Sequence, residues 1–212
     1  MAVADIYDAV INYDDDGIRA LVEAEIGAGT DVSVILQDGI VAALDEIGQM
    51  FSQGTVFVPE MLMAAGTAQA ALGILKPLLV KSGAKPKGTI VIGTVKGDLH
   101  DIGKNLVAMM LEGAGFRLVD LGTDVDPQVL LGSLQENDAD ILALSSLLTT
   151  SLPEMERAVA TVIKARASFN RKFKVMVGGP PVSQEFADKI GADGYGIDAT
   201  AAVNLARQLV LT

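Results

Sequence analysis

What is missing from these 212 residues narrows the chemistry before any motif is read. There is no cysteine, no tryptophan and a single histidine, His100. Without Cys there can be no disulfide, thiolate nucleophile, iron–sulfur cluster or Cys-type zinc site. One His cannot furnish a two- or three-His metal site, though it can act as a base, or as one ligand to a metal held mainly by something else. A Cys-free composition fits a reducing compartment, and a cytoplasmic location is expected. Basic side chains are also in short supply, with 16 Lys and Arg against 27 Asp and Glu and a formal net charge of −11. That balance argues against a nucleic-acid partner, for which a basic stripe is expected. No basic segment followed by an apolar stretch marks a signal peptide. Uninterrupted apolar runs, such as Ile141–Leu144, are too short for a membrane span, so no membrane partner is expected.

What is present is a chain that is 50% hydrophobic and long enough for one large domain or two small ones, each with a real core. The charge is uneven: residues 1–87 carry a net −7 and residues 88–212 a net −4. The break falls at Lys81–Gly88, a polar stretch with Pro86 and two glycines that reads as a linker. The division predicts a helical domain over residues 1–85 and a second domain over residues 86–212. Before the linker, helical periodicity covers Ala4–Asn12, Asp15–Ala28, Val32 to about Phe51 (with Thr30 or Asp31 as cap) and Pro59–Leu79. Pro77 is a candidate for bending or ending the last of these. Four helices with short joins predict a small four-helix bundle.

After the linker, strands predicted at Thr89–Thr94, Phe116–Leu121, Asp140–Ser145, Phe173–Val177 and Asp193–Gly196 alternate with helices. That order predicts an α/β fold, a Rossmann-like, doubly wound, five-stranded parallel sheet with right-handed crossovers. Ligands of such sheets bind beyond the carboxyl ends of the strands. The loops to inspect are residues 94–103, 121–126, 145–152, 178–183 and 196–199.

The first loop contains neither a Walker A run nor a dinucleotide fingerprint. It reads Gly97-Asp98-Leu99-His100-Asp101-Ile102-Gly103, and so places the sole His two residues from a carboxylate. A metal-ligating imidazole usually donates its second N–H to a carboxylate, and Asp98 is placed to be that partner. Gly103, lacking a side chain, lets a bulky group pass close to the backbone. The plainer readings are a surface or satisfied core His, an Asp that only caps a helix, and a Gly that only allows close packing. The third strand ends in the hydroxyl-rich run Ser145-Ser146-Leu147-Leu148-Thr149-Thr150-Ser151, whose plainer role is to cap the helix that follows. The fourth ends in Gly178-Gly179, otherwise an ordinary tight turn.

Taken together, Asp98-x-His100-x-x-Gly103, then Ser145-x-Leu147 after 41 intervening residues, then Gly178-Gly179 after another 30, resemble the cobalamin-binding signature of corrinoid proteins. The likeness extends to the cobalamin module of methionine synthase and, more closely, to the small two-domain corrinoid proteins of methyltransferase systems. Asp45–Phe51 and Phe57–Met63 resemble that family's helical cap. The spacer 148–177 is slightly longer than in the family, with the excess assigned to the Arg-rich Ala165–Lys174 segment.

The resemblance implies a bound cobalamin or related corrinoid, methylated in one state as methylcobalamin, with its own base displaced from cobalt by a protein His. It makes His100 the axial cobalt ligand, Asp98 its hydrogen-bond partner and Ser151 the next member of that relay. Gly97, Leu99, Asp101 and Ile102 belong to the same binding loop. Ser145 and Thr149 would contact the displaced nucleotide tail, Leu147 would line its channel, Gly103 would open it, and Gly178 with Gly179 would form its far wall. Tyr195 and Ala199 would close its end. Phe57 and Met61 would cap the upper face of the corrin, their plainer reading being core of the bundle, and Gly83–Gly88 would be the hinge.

The function so implied is carriage of a methyl group on cobalt. It would pass from a substrate:corrinoid methyltransferase to a second methyltransferase acting on tetrahydrofolate or coenzyme M, with a reductive activase as a further partner. The chain would be a carrier subunit, not a complete enzyme. A cobalamin-binding sensor or regulator is the alternative, but such proteins normally add a DNA-binding or output domain. The small subunit of a carbon-skeleton mutase is a third reading, against which the helical residues 1–85 count. The acidic first helices, with Arg19 as the only basic residue before Lys76, suit a basic partner face.

Overall fold

The computed structural model describes residues 2–81, 85–168 and 172–211. The linker at Lys81–Gly88 and the Ala165–Lys174 segment therefore lie partly outside the described residues, as does part of the expected hinge. The chain divides into two compact units: Met1–Pro86 with Glu112–Gly115, and Lys87–Leu111 with Phe116–Thr212.

The first unit is helical: α1 (Val3–Ile11), α2 (Gly17–Gly27), α3 (Val32–Val34), α4 (Ala42–Ser52) and α5 (Val58–Lys81). The Asp31 carboxylate accepts from the Ser33 N–H at 2.7 Å and caps α3. Between α3 and α4 the backbone winds into a π-helix over Ile35–Val41, where the sequence predicts one regular helix. Five of these seven residues, Ile35, Leu36, Gly39, Ile40 and Val41, are buried. Gly39 sits close to Ile6, whose Cγ2 would lie 3.1 Å from an added Cβ.

Helix α5 packs against α1, α2 and α4 and continues past Pro77 to Lys81. Over Val58–Leu79 it is long and apolar enough to cross a membrane by length and composition, with a mean hydropathy of 1.3. The Gly, Thr and Gln scattered along the helix break its apolar stretches without adding charge, so the sequence shows no uninterrupted run of that length. Met61, Ala64, Ala65, Ala68, Ala71, Leu72 and Leu75 are all buried, as in the core helix of a bundle.

The second unit alternates strand and helix: β1 (Thr89–Thr94), α6 (Ile102–Gly113), β2 (Arg117–Asp120), α7 (Pro127–Glu136), β3 (Ile141–Ser145), α8 (Leu152–Ala165), β4 (Lys174–Gly178), α9 (Gln184–Ile190), β5 (Gly194–Gly196) and α10 (Ala199–Leu209). The five strands form one parallel sheet in the order β2-β1-β3-β4-β5, the α/β architecture that the alternation predicts. All of β1 and most of β3 and β4 are buried, which is why they read as continuous β-branched and aliphatic runs. Val91, Leu142, Leu144, Val175 and Val177 join Leu130, Met155, Val159 and Ile190 in one core cluster.

The strand order reverses direction between β1 and β3, so the loops leaving these neighbouring strands diverge and open a crevice. Leu142 lies at the centre of this sheet, fully buried between Val91 and Val175. Leu142→Ala is expected to lower unfolding stability by about 2–5 kcal/mol, measured as a fall in the denaturant midpoint.

Candidate functional site

The loop after β1 is built to present a side chain. The buried Thr94 hydroxyl donates to the His100 carbonyl at 2.9 Å. Gly97 takes a positive φ of +78°, the left-handed conformation that glycine adopts without strain. Its N–H donates to Asp124 Oδ1 at 2.8 Å, and the Asp124 N–H donates to the Asp98 carbonyl at 3.0 Å. Asp124 is itself left-handed, with φ +55°, a conformation that Asp tolerates better than most residues. The loop is thus tied to the β2–α7 connection, a tie not read from the sequence; its one signal was an acidic residue in a loop marked for inspection.

Asp98 is fully buried. Its Oδ1 accepts from the His100 N–H at 3.1 Å and from the His100 ring Nδ1 at 2.7 Å. Its Oδ2 accepts from the Leu147 N–H at 2.7 Å, the Leu148 N–H at 3.2 Å and the Ser151 hydroxyl at 3.0 Å. Burial by itself disfavours the charge. The hydrogen bonds from Leu147, His100 and Ser151 outweigh it and hold the carboxyl well below the usual carboxylate range. Asp98 is therefore not a helix cap; it joins the loops that leave β1 and β3.

Because an ionised carboxylate can only accept, the His100 Nδ1 must carry the hydrogen in this contact. In the neutral ring Nε2 then holds the lone pair. The His100 side chain is about half exposed, at 51%. Ser151 stands at the N-cap of α8, but its side chain makes no cap hydrogen bond and is spent on Asp98. Behind it, the fully buried Ser146 lies 2.7 Å from Ser151, oxygen to oxygen, a contact absent from the sequence reading.

The sheet register lines up the other expected residues. Thr94 pairs with Ser145, Ser145 with Gly178 and Gly178 with Gly196, one row along the carboxyl edge. A Cβ on Gly178 would meet the Gly196 carbonyl at 3.0 Å, and one on Gly179 would meet the Ser146 carbonyl at 1.9 Å. Gly179 also has φ +125°, so backbone packs against backbone there and no side chain is admitted. Gly103 is the opposite case: a Cβ would meet nothing within 4 Å, so close packing does not explain it and open space stands beside it.

Leu147 and Thr149 are exposed. Tyr195 is partly buried against the core cluster, and Ala199 is buried at the start of α10, where the Asp198 carboxylate accepts from the Ala201 N–H at 2.7 Å. Asp101 is exposed and accepts from the Asn105 side chain at 3.1 Å. Lys104, which the sequence reading passed over, is buried and donates to Asp120 at 2.5 Å, anchoring the first turn of α6 to the end of β2. Phe57 and Met61 belong to the helical unit and part company: Phe57 is exposed and Met61 buried.

Among the described residues no group of three or more His, Asp or Glu side chains could hold a metal ion. A metal bound at His100 must bring most of its ligands with it, as a corrin does with its four nitrogens. Leu99, Ile102, Leu147 and Leu148, from the two loops joined at Asp98, are exposed apolar side chains, suited to a large, flat, largely apolar ligand. With the free Nε2 and the space at Gly103, the residues present fit such a group.

Comparison with known proteins points the same way. Two family profiles match, each described as a B12 binding domain, one over residues 88–204 and one over residues 2–76. The chain is 39% identical over 211 residues to trimethylamine corrinoid protein 1 of Methanosarcina mazei, covering 99% of this chain and 97% of that one. It is 41% identical over 203 residues to dimethylamine corrinoid protein 1 of Methanosarcina acetivorans, covering 95% and 94%. Among solved structures it resembles a cobalamin-binding protein from Desulfitobacterium hafniense, with a TM-score of 0.78, 28% identity and 98% of each chain covered. It also resembles a chain of the methanol:cobalamin methyltransferase complex from Methanosarcina barkeri, with a TM-score of 0.81, 28% identity and coverage of 99% of this chain and 79% of that one.

The two glycine environments predict opposite outcomes. Gly179→Ala is expected to cost about 2 kcal/mol or more in unfolding stability. Gly103→Ala, at a helical position with free space, is expected to leave stability unchanged or raise it by up to about 1 kcal/mol. Chemical denaturation of both variants checks the pair. For Asp98 the folded-state pKa lies below the unfolded one, so its stabilisation is complete above the unfolded value of about 3.9 and is lost as the pH falls from there through the folded-state value. The stability difference between the wild type and Asp98→Asn, followed by denaturant titration, should be flat near neutrality and shrink below about pH 4.

Proposed function

The chain belongs to the B12-binding family, and on that premise we propose that it is a methyl carrier, accepting a methyl group from one methyltransferase and delivering it to a second. Its cofactor is cobalamin or a related corrinoid. When bound, the corrinoid supplies a cobalt centre able to take up and release a methyl group, chemistry that no side chain provides.

The observation that carries the reading is the His100 ring, anchored through Nδ1 on the buried Asp98 and free at Nε2. His100 ligates cobalt through Nε2 in place of the cofactor's own base. Asp98 keeps the ring in the tautomer that leaves Nε2 available and raises its basicity. Ser151 extends the relay behind Asp98. Gly103 leaves room for the displaced nucleotide tail, Ser145, Leu147 and Thr149 meet it, and Gly178, Gly179, Tyr195 and Ala199 bound it. Residues 86–212 act as the corrinoid-binding domain and residues 1–85 as its helical cap. Phe57 is the cap residue with free surface to offer.

The partners are a substrate:corrinoid methyltransferase, a second methyltransferase using tetrahydrofolate or coenzyme M, and a reductive activase, all in the cytoplasm. Relatives named for trimethylamine and dimethylamine, at 39% and 41% identity, support a methylated amine as the methyl donor; the methanol complex supports a methyltransferase as the enzyme that docks.

Reconstitution with hydroxocobalamin tests the reading. The protein is expected to take up one equivalent with the base-off, His-on absorbance, and its reduced form to show a histidine nitrogen in the cobalt EPR spectrum. His100→Ala should lose both signatures, and Asp98→Asn should weaken binding by about 10- to 100-fold. Absence of uptake by the wild type would refute the proposal.

A further inference from the structure

Ser146 touches both halves of the site. Its side chain faces the relay, with Oγ 2.7 Å from Ser151 Oγ and 3.2 Å from the Leu148 carbonyl. Its backbone faces the glycine wall: the N–H donates to the Gly178 carbonyl at 3.2 Å, and its own carbonyl occupies the space a Gly179 side chain would need. No part of the Ser146 residue is open to solvent, so water does not compete for its hydroxyl.

Counting protons shows what that hydroxyl does. Ser146 and Ser151 have one hydroxyl proton each, and the ionised Asp98 has none. Ser151 Oγ lies within reach of three acceptors: Ser146 Oγ, the Leu148 carbonyl at 2.9 Å and Asp98 Oδ2 at 3.0 Å. If Ser151 donated to Ser146, and Ser146 to Leu148, the Ser151 lone pairs would face a buried carboxylate oxygen. If Ser146 donates to Ser151, both protons point the same way and the chain ends on the charge. That order is favoured because a hydrogen bond to a carboxylate is stronger than one to a neutral acceptor, and because successive hydrogen bonds polarise one another.

We propose that Ser146 is a positioning residue of the His100 relay, donating its hydroxyl proton to Ser151 and so holding the Ser151 proton on Asp98. The order runs Ser146 to Ser151 to Asp98, with His100 donating to the same carboxylate from the other side. Ser146 acts only through Ser151 and Asp98. Its consequence for cobalt rests on the corrinoid reading above, whereas the hydrogen-bond order belongs to the chain itself.

The sole histidine makes the test unambiguous, because every imidazole signal in a long-range proton–nitrogen NMR spectrum belongs to His100. In the corrinoid-free protein at one alkaline pH, Ser146→Ala should shift the tautomer ratio further toward the Nδ1–H form by about fivefold, the size of one hydrogen bond, because a carboxylate that loses the Ser151 proton accepts more strongly from the ring. Ser151→Ala should shift it at least as far, and the double variant no further than Ser151→Ala alone. With hydroxocobalamin bound and reduced, the histidine nitrogen splitting in the EPR spectrum should grow in the same order, as a more basic Asp98 makes the ring the stronger donor. Ser146→Cys, nearly the same size but a weak donor, supplies the measurement if the alanine variant does not fold. A wild-type tautomer ratio in both Ser146 variants, or an effect that adds fully to that of Ser151→Ala, would overturn the proposal. Failure of the wild type to bind hydroxocobalamin would instead overturn the corrinoid reading, and the corrinoid-free spectra would still decide the role of Ser146.

Discussion

A carboxylate removed from water must recover in hydrogen bonds what it loses in hydration. Asp98 does so with donors from two loops: the His100 amide and ring on its own loop, and the Leu147 amide, Leu148 amide and Ser151 hydroxyl on the loop after β3. This buried charge is what the rest of the site depends on. It closes the crevice between β1 and β3 at its base, fixes the hydrogen on Nδ1 and leaves Nε2 to a ligand. The same satisfaction of its oxygens holds its pKa down against the effect of burial.

Around that point the structure separates what must be rigid from what must be open. Thr94, Gly97 and Asp124 pin the loop by hydrogen bonds, and Lys104 anchors α6 to β2. Gly178 and Gly179 are packed backbone to backbone, so the carboxyl edge of the sheet is closed there. Gly103 has free space beside it and exposed apolar side chains on its loop. A site with a single imidazole and no metal cluster among its described residues is sufficient for a cofactor that carries its metal's other ligands with it. The scarcity of His and the absence of Cys thus fit the family to which the chain belongs.

Much of the architecture was legible because buried parallel strands and amphipathic helices leave strong periodic signals. Strand β1 runs from Thr89 to Thr94 as predicted, and the other four strands differ from expectation by a residue at their ends. The π-helix at Ile35–Val41 was not legible, since a shift of hydrogen-bond partner leaves the apolar pattern almost unchanged. The overall apolar character of α5 forms no continuous run, because scattered small polar residues interrupt it. Within the site, Asp98, His100 and Gly103 could be named from spacing and resemblance. Ser146 and Asp124 could not: one is a serine among many hydroxyls, the other an acid in a loop, and neither forms a pattern along the chain.

The sequence by itself determined the class of the fold, the loops at the carboxyl ends of its strands and the place of the one imidazole the chain can offer, because periodicity and composition are local properties. Only the tertiary structure decided which oxygen of Asp98 faces which donor, that the Ser151 hydroxyl is turned from its helix toward that carboxylate, and that Gly179 is shut in while Gly103 stands open. Those are matters of direction and distance between segments far apart in the chain, set by the register of β1, β3 and β4. No single segment carries that information.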